Sequence, residues 1–197
     1  MFFVAIRIAQ IQFRQFWQPI PKITPNFTKL IYNLLPDIMP QLILNTMIDA
    51  PLSVVFDLSR SIDLHKYSAK KTGEEAIGGV TTGLMEMGQQ VRWRARHLGV
   101  RQTLTVRITA MERPCFFEDK MIHGIFCFME HQHFFEEVEH GKIIMRDIFN
   151  FEAPFGVLGR LAECLFLTRY MRRFLEERNQ VIKEVAESGR YIAYIPD

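Results

Sequence analysis

Two histidines and an aspartate, His131, His133 and Asp147, are the residues of this chain best suited to acid–base chemistry. Alternate residues of a strand point to the same face of a sheet, so the two imidazoles would lie side by side. A carboxylate held next to an imidazole fixes its tautomer and favours its charged form. Such a group could anchor a ligand, act as a general base, or stabilise the sheet by hydrogen bonding. If it is catalytic, His133 and Asp147 are the weak candidates.

The turn between the strand of the histidines and the strand of Asp147 predicts how these two strands pair. The sequence Glu139-His140-Gly141 is typical of a three-residue hairpin loop with its glycine in the left-handed conformation. That loop sets a register in which His133 faces Asp147 and His131 faces Phe149. Five large apolar residues then share the face of the histidines: Met129, Phe135, Met145, Phe149 and Phe151.

The same histidines could also form part of a metal site. His131 and His133 with one carboxylate would begin a ligand set, but their spacing brings no convincing third and fourth ligand. The glycines at 78–79 and at 156 and 159 mark turns and the start of a helix, and neither pair forms a phosphate-binding loop. We therefore expect no metal and no cofactor.

Apolar periodicity predicts the elements that must position these residues. A strand over 42–48 precedes two short helices, one after Pro51 and one over 61–67. Period-two apolar patterns then indicate strands near 91–96, 103–108, 115–123, 125–138 and 142–152. The short connections favour an antiparallel meander. After Pro154 a long helix is predicted from Gly156 to about Ser188. The sheet and this helix can bury each other only if the sheet curls around the helix, and that arrangement leaves a cavity between them.

Composition narrows the class of protein. The 197 residues include 24 Lys+Arg and 22 Asp+Glu, a formal net charge of +2 that does not suit a general nucleic-acid binder. Three widely spaced cysteines cannot form a complete disulfide framework, which favours a reducing compartment. No apolar run approaches the length of a bilayer span. We expect a cytoplasmic protein, with peripheral membrane contact as an alternative.

The chain is expected to have three regions: an N-terminal extension (1–38), a folded domain (39–190) and a C-terminal tail (191–197). The extension is rich in aromatic residues and interrupted by prolines. One interpretation is a basic, aromatic helix over 6–17 that rests on an anionic membrane surface. The other is a poorly packed appendage, or sequence upstream of a true start at Met39.

Two motifs carry a resemblance to a known family. Gly124-Ile125-Phe126 is followed by Met129-x-His131-x-His133-x-Phe135, and Asp147 is followed by the run Pro-Phe-Gly-Val-Leu-Gly-Arg-Leu-Ala at 154–162. Together with the order of elements, they resemble the START-like superfamily, also known as Bet v 1-like, SRPBCC or polyketide-cyclase/coenzyme-Q-binding, and in particular a bacterial branch. The resemblance covers 39 to about 187, and Met129 replaces the tryptophan of that branch.

The resemblance implies a helix-grip fold of the α+β class, in which a curved antiparallel sheet wraps around the long C-terminal helix. It also implies a pocket for an apolar small molecule such as a lipid, an isoprenoid quinone or a polyketide-like compound, which the protein would bind and transport. Alternatives are a cyclase or dehydratase that uses His133 with Asp147, and a protein-interaction module; binding is favoured over catalysis. The expected pocket lining is Trp93, Phe126, Met129, His131, His133, Phe135, Met145, Asp147, Phe149, Phe151, Leu158, Leu161 and Leu165.

Overall fold

The computed structural model describes residues 40–138 and 141–195, which belong to the second of two units in the chain, Ile38–Asp197. Its elements are β1 (Gln41–Ile48), α1 (Leu52–Ser59), α2 (Ile62–Ser68), β2 (Glu75–Gly79), β3 (Gln90–His97), β4 (Val100–Glu112), β5 (Phe116–His123), β6 (Phe128–Glu137), β7 (Ile143–Glu152), α3 (Val157–Ala162), a π-helical segment (Glu163–Leu167), α4 (Thr168–Glu187) and a 3₁₀ turn (Arg190–Ala193). The predictions for 1–38, for Glu139 and His140 and for 196–197 lie outside the described residues.

The seven strands form one antiparallel sheet in the order β1-β7-β6-β5-β4-β3-β2. Strands β2 to β7 follow one another as a meander, and β1 pairs with the remaining edge of β7. Buried and exposed side chains alternate along β1, β6 and β7, as expected when only one face of a sheet is covered. The predicted α+β class, with a curved antiparallel sheet, two short helices after the first strand and a long C-terminal helix, is confirmed.

The register of β6 against β7 agrees with the register predicted from the turn. His133 lies opposite Asp147, and His131 lies opposite Phe149. Gly141 has a φ of +72°, a conformation that glycine adopts without steric cost. The backbone N–H of Val138 donates to the carbonyl of Lys142 at 2.8 Å and closes the loop. The hairpin therefore brings the acid and the two histidines to the same face of the sheet.

The inner face of the sheet is covered by α1 and α4. Phe56 of α1 makes edge-on contacts with Phe117 and Phe135, at ring-centroid distances of 5.7 and 5.5 Å. Leu175 and Ile182 of α4 are also buried in this core. Each such side chain contributes about 1.5–3 kcal/mol when fully buried. The core under α4 is therefore continuous from β1 across β7 and β6 to β5.

The predicted C-terminal helix is continuous through α3, the π-helical segment and α4. Its start is fixed by Glu163, whose carboxylate accepts the backbone N–H of Ala153 at 2.5 Å. After α4 the chain packs back onto the domain, where the Ser61 hydroxyl donates to the Tyr194 carbonyl at 3.0 Å. Among the described residues, each helix is too short or too polar to span a lipid bilayer.

Gly159 is needed where the helix leaves the sheet. A Cβ at this position would lie 2.2 Å from the Pro154 carbonyl oxygen. Alanine normally stabilises a helix relative to glycine by about 1 kcal/mol, but here the contact with backbone would outweigh that gain. We expect Gly159→Ala to lower the free energy of unfolding by about 1–3 kcal/mol in urea titrations. Cys164→Ala, at an exposed position in the same helix, is the control; a Gly159→Ala protein more stable than wild type would contradict the packing described.

Candidate functional site

Asp147 is the centre of a buried polar network on the inner face of the sheet. Its Oδ1 lies 3.0 Å from Nε2 of His131 and 2.8 Å from Nδ1 of His133, the second contact being poorly aligned for a hydrogen bond. The amide of Asn179 on α4 donates to its Oδ2 at 2.6 Å. On the other side, Nε2 of His133 lies 3.3 Å from Oδ2 of Asp119 on β5. The network thus connects three neighbouring strands to the helix that covers them.

Burial and proximity set the charges of this network. Burial alone would raise the pKa of Asp147, but its contacts with His131 and His133 hold that pKa well below its usual value. Burial, reinforced by the neighbouring His133, lowers the pKa of His131 to about 4. Burial opposes the charged form of His133, yet its contacts with Asp119 and Asp147 raise its pKa. Near neutral pH the network therefore contains a neutral His131 and two carboxylates on either side of His133.

Aromatic rings enclose both imidazoles. The ring of Phe117 stacks on His133 with centroids 4.2 Å apart, and Phe149 approaches His131 edge-on at 5.2 Å. The centroids of the two imidazoles are 3.8 Å apart. Three of the four ring nitrogens face carboxylates: Nε2 of His131 and Nδ1 of His133 face Asp147, and Nε2 of His133 faces Asp119.

The structure brings most of the predicted lining residues together, but as packed core and not as the wall of a cavity. A cavity that admits water would leave accessible area on the side chains around it. The strand residues of the expected lining keep 6% or less of their solvent-accessible area, because the curled sheet closes on α1 and α4. They are Trp93, Met129, His131, His133, Phe135, Met145, Asp147, Phe149 and Phe151. Phe126, in the β5–β6 loop, is half-buried. These side chains are buried against one another, and their role as the lining of a ligand pocket stays a prediction.

The three helix residues of the expected lining lie elsewhere. Leu158, Leu161 and Leu165 are exposed, at 69%, 41% and 58% of their area. They share the predicted apolar side of the helix, but the core does not cover that side. The reason is that α4 packs on β1, α1 and α2, whereas residues 157–167 precede that contact region. We refer to residues 157–167 as the cap segment.

The cap segment joins two sides of the curled sheet. Glu163 is bonded to Ala153 at the end of β7, as described above. A few residues later, the Tyr170 hydroxyl lies 2.7 Å from Nδ1 of His97 at the tip of the β3–β4 hairpin. Antiparallel order places the β3–β4 tip, the β5–β6 loop and the end of β7 at the same end of the sheet. The cap segment therefore spans the open end of the curl.

Exposed apolar side chains are concentrated at this end of the domain. Half of the large hydrophobic side chains that are exposed in the described part of the chain belong to its loops, to the end of β5 and to the cap segment, and we call them the apolar end: Leu98, Ile122, Ile125, Phe155, Leu158, Leu161 and Leu165. Beneath them, Leu104 and Met121 of the inner face are only half-buried. Exposed apolar residues that lie close together mark a binding site more often than scattered ones do.

A second polar cluster lies beside the first turns of α4, and sequence reasoning missed it. Glu74 accepts from Nε2 of His65 at 2.5 Å and lies 3.1 Å from Nε2 of His97. His97 continues the chain of contacts to Tyr170, and His65 stacks on Trp93 at 4.3 Å. These residues come from separate elements and show no motif in the sequence. The cluster holds the β3–β4 hairpin against α4.

A small cleft near this cluster is not the predicted ligand pocket. It lies between the end of α2 and α4, next to Thr72 and Phe174, and its volume is about 20 Å³. That volume holds about one water molecule.

Comparison with solved structures supports the fold assignment. The chain is similar to a protein from Thermus thermophilus, with 17% identity and a TM-score of 0.62 over 76% of this chain and 99% of that chain. It is also similar to a START superfamily protein from Mycobacterium smegmatis, with 9% identity and a TM-score of 0.57 over 75% of this chain and 97% of that chain. A major latex-like protein from Panax ginseng has 15% identity and a TM-score of 0.56 over 75% of this chain and 97% of that chain. The chain has the START-like, or Bet v 1-like, helix-grip fold. No protein-family model and no curated protein matches the sequence, so the assignment of this START-like domain to a bacterial branch stays a prediction.

Asp147 should contribute strongly to stability. Removing one partner of a buried ion pair leaves the others desolvated and uncompensated, at a cost of about 3–5 kcal/mol. We expect Asp147→Ala to lower the free energy of unfolding by about that amount in urea titrations. Glu75→Ala is the control, because the Glu75–Arg94 pair is exposed and its loss should change stability little. Similar losses in the two variants would contradict a central structural role for Asp147.

Glu74 should make stability depend on acid pH. Burial alone would raise its pKa, but the adjacent His65 and His97 lower it from 4.5 to about 2. A depressed pKa contributes stability that is present above about pH 4.5 and is lost as the pH falls toward about 2. The difference in unfolding free energy between wild type and Glu74→Gln should therefore shrink over that interval. Glu136→Gln, exposed on β6, is the control; a difference that stays constant down to about pH 2 would refute the coupling.

Proposed function

We propose that this START-like domain binds an apolar small molecule at the apolar end, between the cap segment and the inner face of β4 and β5. The observation that carries the proposal is the exposure of Phe155, Leu158 and Leu165, whose solvent-exposed fractions are 70%, 69% and 58%. A ligand that covered these side chains would gain about 25 cal/mol for each Å² of apolar surface removed from water. The site thus differs in position from the central cavity predicted from the sequence.

The backbone at both ends of α3 supports movement of the cap segment. Phe155 has a φ of +76°, a conformation that costs a non-glycine residue free energy, and Gly156 follows with a φ of +55°. At the other end, the helix changes to π geometry over 163–167, and such interruptions are frequent at functional sites. Once the bond between Glu163 and Ala153 opens, a segment with irregular backbone at each end could rotate without disrupting α4.

The floor of the proposed site combines apolar and polar groups. Leu104 and Met121 are half-buried beside the β5–β6 loop, where both lie within 3 Å of the position that a Gly124 Cβ would occupy. On the same face of β4, the Oε1 atom of Gln102 is buried and has no hydrogen-bond partner. An unpaired buried acceptor is costly. We therefore expect a mainly apolar ligand with one hydroxyl or N–H donor that can reach Gln102.

Catalysis by His133 and Asp147 receives less support from the geometry. Both side chains are covered by the core, and their polar atoms already face one another. A substrate would have to displace Asn179 or the surrounding rings to reach them. A lipid or isoprenoid-quinone ligand, and its transport between a membrane and an enzyme, remain compatible with the proposed site, since the exposed apolar end would face the donor surface.

The proposal is tested with the fluorescent apolar probe N-phenyl-1-naphthylamine. We expect a saturable site in the wild type, and at least a tenfold loss of affinity in the double variant Leu158→Ser/Leu165→Ser, because about 1.4 kcal/mol of apolar contact would be lost. The matched control is Ile43→Ser/Met47→Ser, which removes two exposed apolar side chains from the outer face of β1. Equal affinity in the two double variants would refute the site, and no binding by wild type would favour the interaction-module hypothesis.

A further inference from the structure

Asp119, His131 and His133 form a compact set of metal-ligating groups. One potential ligand atom from each residue lies within 4.8 Å of the other two. Two imidazole nitrogens and one carboxylate oxygen are a donor set that suits zinc and related divalent transition metals. The spacing of the two histidines brings no convincing third and fourth ligand, and Asp119 supplies the third from the neighbouring strand, directly opposite His131.

We propose that these three residues bind a divalent transition-metal ion of the zinc class. This inference goes beyond small-molecule binding and does not depend on it, because it rests on the inner-face cluster and not on the apolar end. The side of the cluster formed by Asp119 is the most accessible, since 17% of the Asp119 side chain is exposed, compared with 1% for His133. A fourth ligand, such as water, would bind on that side.

The distances between the groups are close to those required. Ligand bonds of about 2.1 Å in tetrahedral geometry place two ligand atoms about 3.4 Å apart. Asp119 Oδ2 and His133 Nε2 are already 3.3 Å apart. The widest separation in the set is at most 4.8 Å, so side-chain rotations that shorten it by about 1.4 Å complete the site. The backbone of β5 and β6 can stay in place.

Asp147 and Asn179 provide the outer contacts that metal-binding histidines require. Histidine ligands usually present their second ring nitrogen to a carboxylate, which fixes the ring orientation and tautomer. Here one nitrogen of each imidazole faces Asp147, namely Nε2 of His131 and Nδ1 of His133. Nε2 of His133, which faces Asp119, is left for the ion, and one ring nitrogen of His131 lies within 4.8 Å of the other ligand atoms. Asn179 in turn holds Asp147 through its 2.6 Å hydrogen bond.

The buried polar atoms of the cluster also favour a further ligand. The Oδ1 atom of Asn179, a residue only 2% exposed, has no hydrogen-bond partner, and neither has Nδ1 of His133. Unsatisfied buried groups are rare in native proteins, and each is expected to have an additional partner. An ion on the Asp119 side of His133 would draw the imidazole of His133 into line with Asp147.

The test uses the full chain after dialysis against a chelator. Zn²⁺ affinity is measured by competition with a chromophoric chelator, and Co²⁺ is used as a spectroscopic probe. Because the three cysteines are exposed and thiolates bind zinc, Cys115, Cys127 and Cys164 are first replaced by serine. We expect this cysteine-free protein to bind one Zn²⁺ per chain and to give Co²⁺ absorption bands without thiolate charge transfer.

Two further variants locate the ion. In the cysteine-free background, Asp119→Asn should weaken Zn²⁺ binding at least tenfold, while His123→Ala, an exposed histidine on the same strand, should leave it unchanged. His133→Gln should abolish binding, with circular dichroism to establish that it is folded. If His133→Gln does not fold, Asp119→Asn and the Co²⁺ spectrum decide. Absence of Zn²⁺ binding in the cysteine-free protein, or equal affinity in Asp119→Asn, would overturn the proposal without affecting the test of apolar binding.

Discussion

The contact between Asp147 and the three side chains around it is the interaction on which the rest of the domain depends. It joins β7 to β6 through His131 and His133, and joins both strands to α4 through Asn179. A carboxylate in an apolar core is tolerated only when it is paired and hydrogen-bonded, so these contacts fix the position of the helix against the sheet. The helix in turn fixes where the cap segment ends.

This constraint divides the domain into two parts with different properties. Where α4 packs on β1, α1 and α2, the inner face is a closed core of rings and aliphatic side chains. Beyond Tyr170 toward the start of the helix, the cap segment leaves its leucines exposed and rests on Glu163 and on the His97–Tyr170 contact. Local regions with few buried contacts open at low free energy, which suits a site that must admit a ligand.

The sequence was sufficient to predict the fold and one key pair, and it failed where tertiary contacts decide the outcome. The loop ending at Gly141 defined the register of β6 and β7, so the pairing of His133 with Asp147 could be derived. The β5–β6 connection contains irregular bends, so no comparable rule placed Asp119 opposite His131. Periodicity showed that Leu158, Leu161 and Leu165 share a side of the helix, but it cannot tell whether that side is covered. The His65–Glu74–His97 cluster comes from separate elements and leaves no pattern in the sequence.

The location of the apolar site is tested most directly by nuclear Overhauser effects between bound N-phenyl-1-naphthylamine and the methyl groups of leucine and methionine. The proposed site predicts contacts from the probe to Leu158, Leu165, Leu104 and Met121, at the apolar end. Contacts confined to Met129 and Met145, which are buried beneath α1 and α4, would contradict it and restore the central cavity predicted from the sequence.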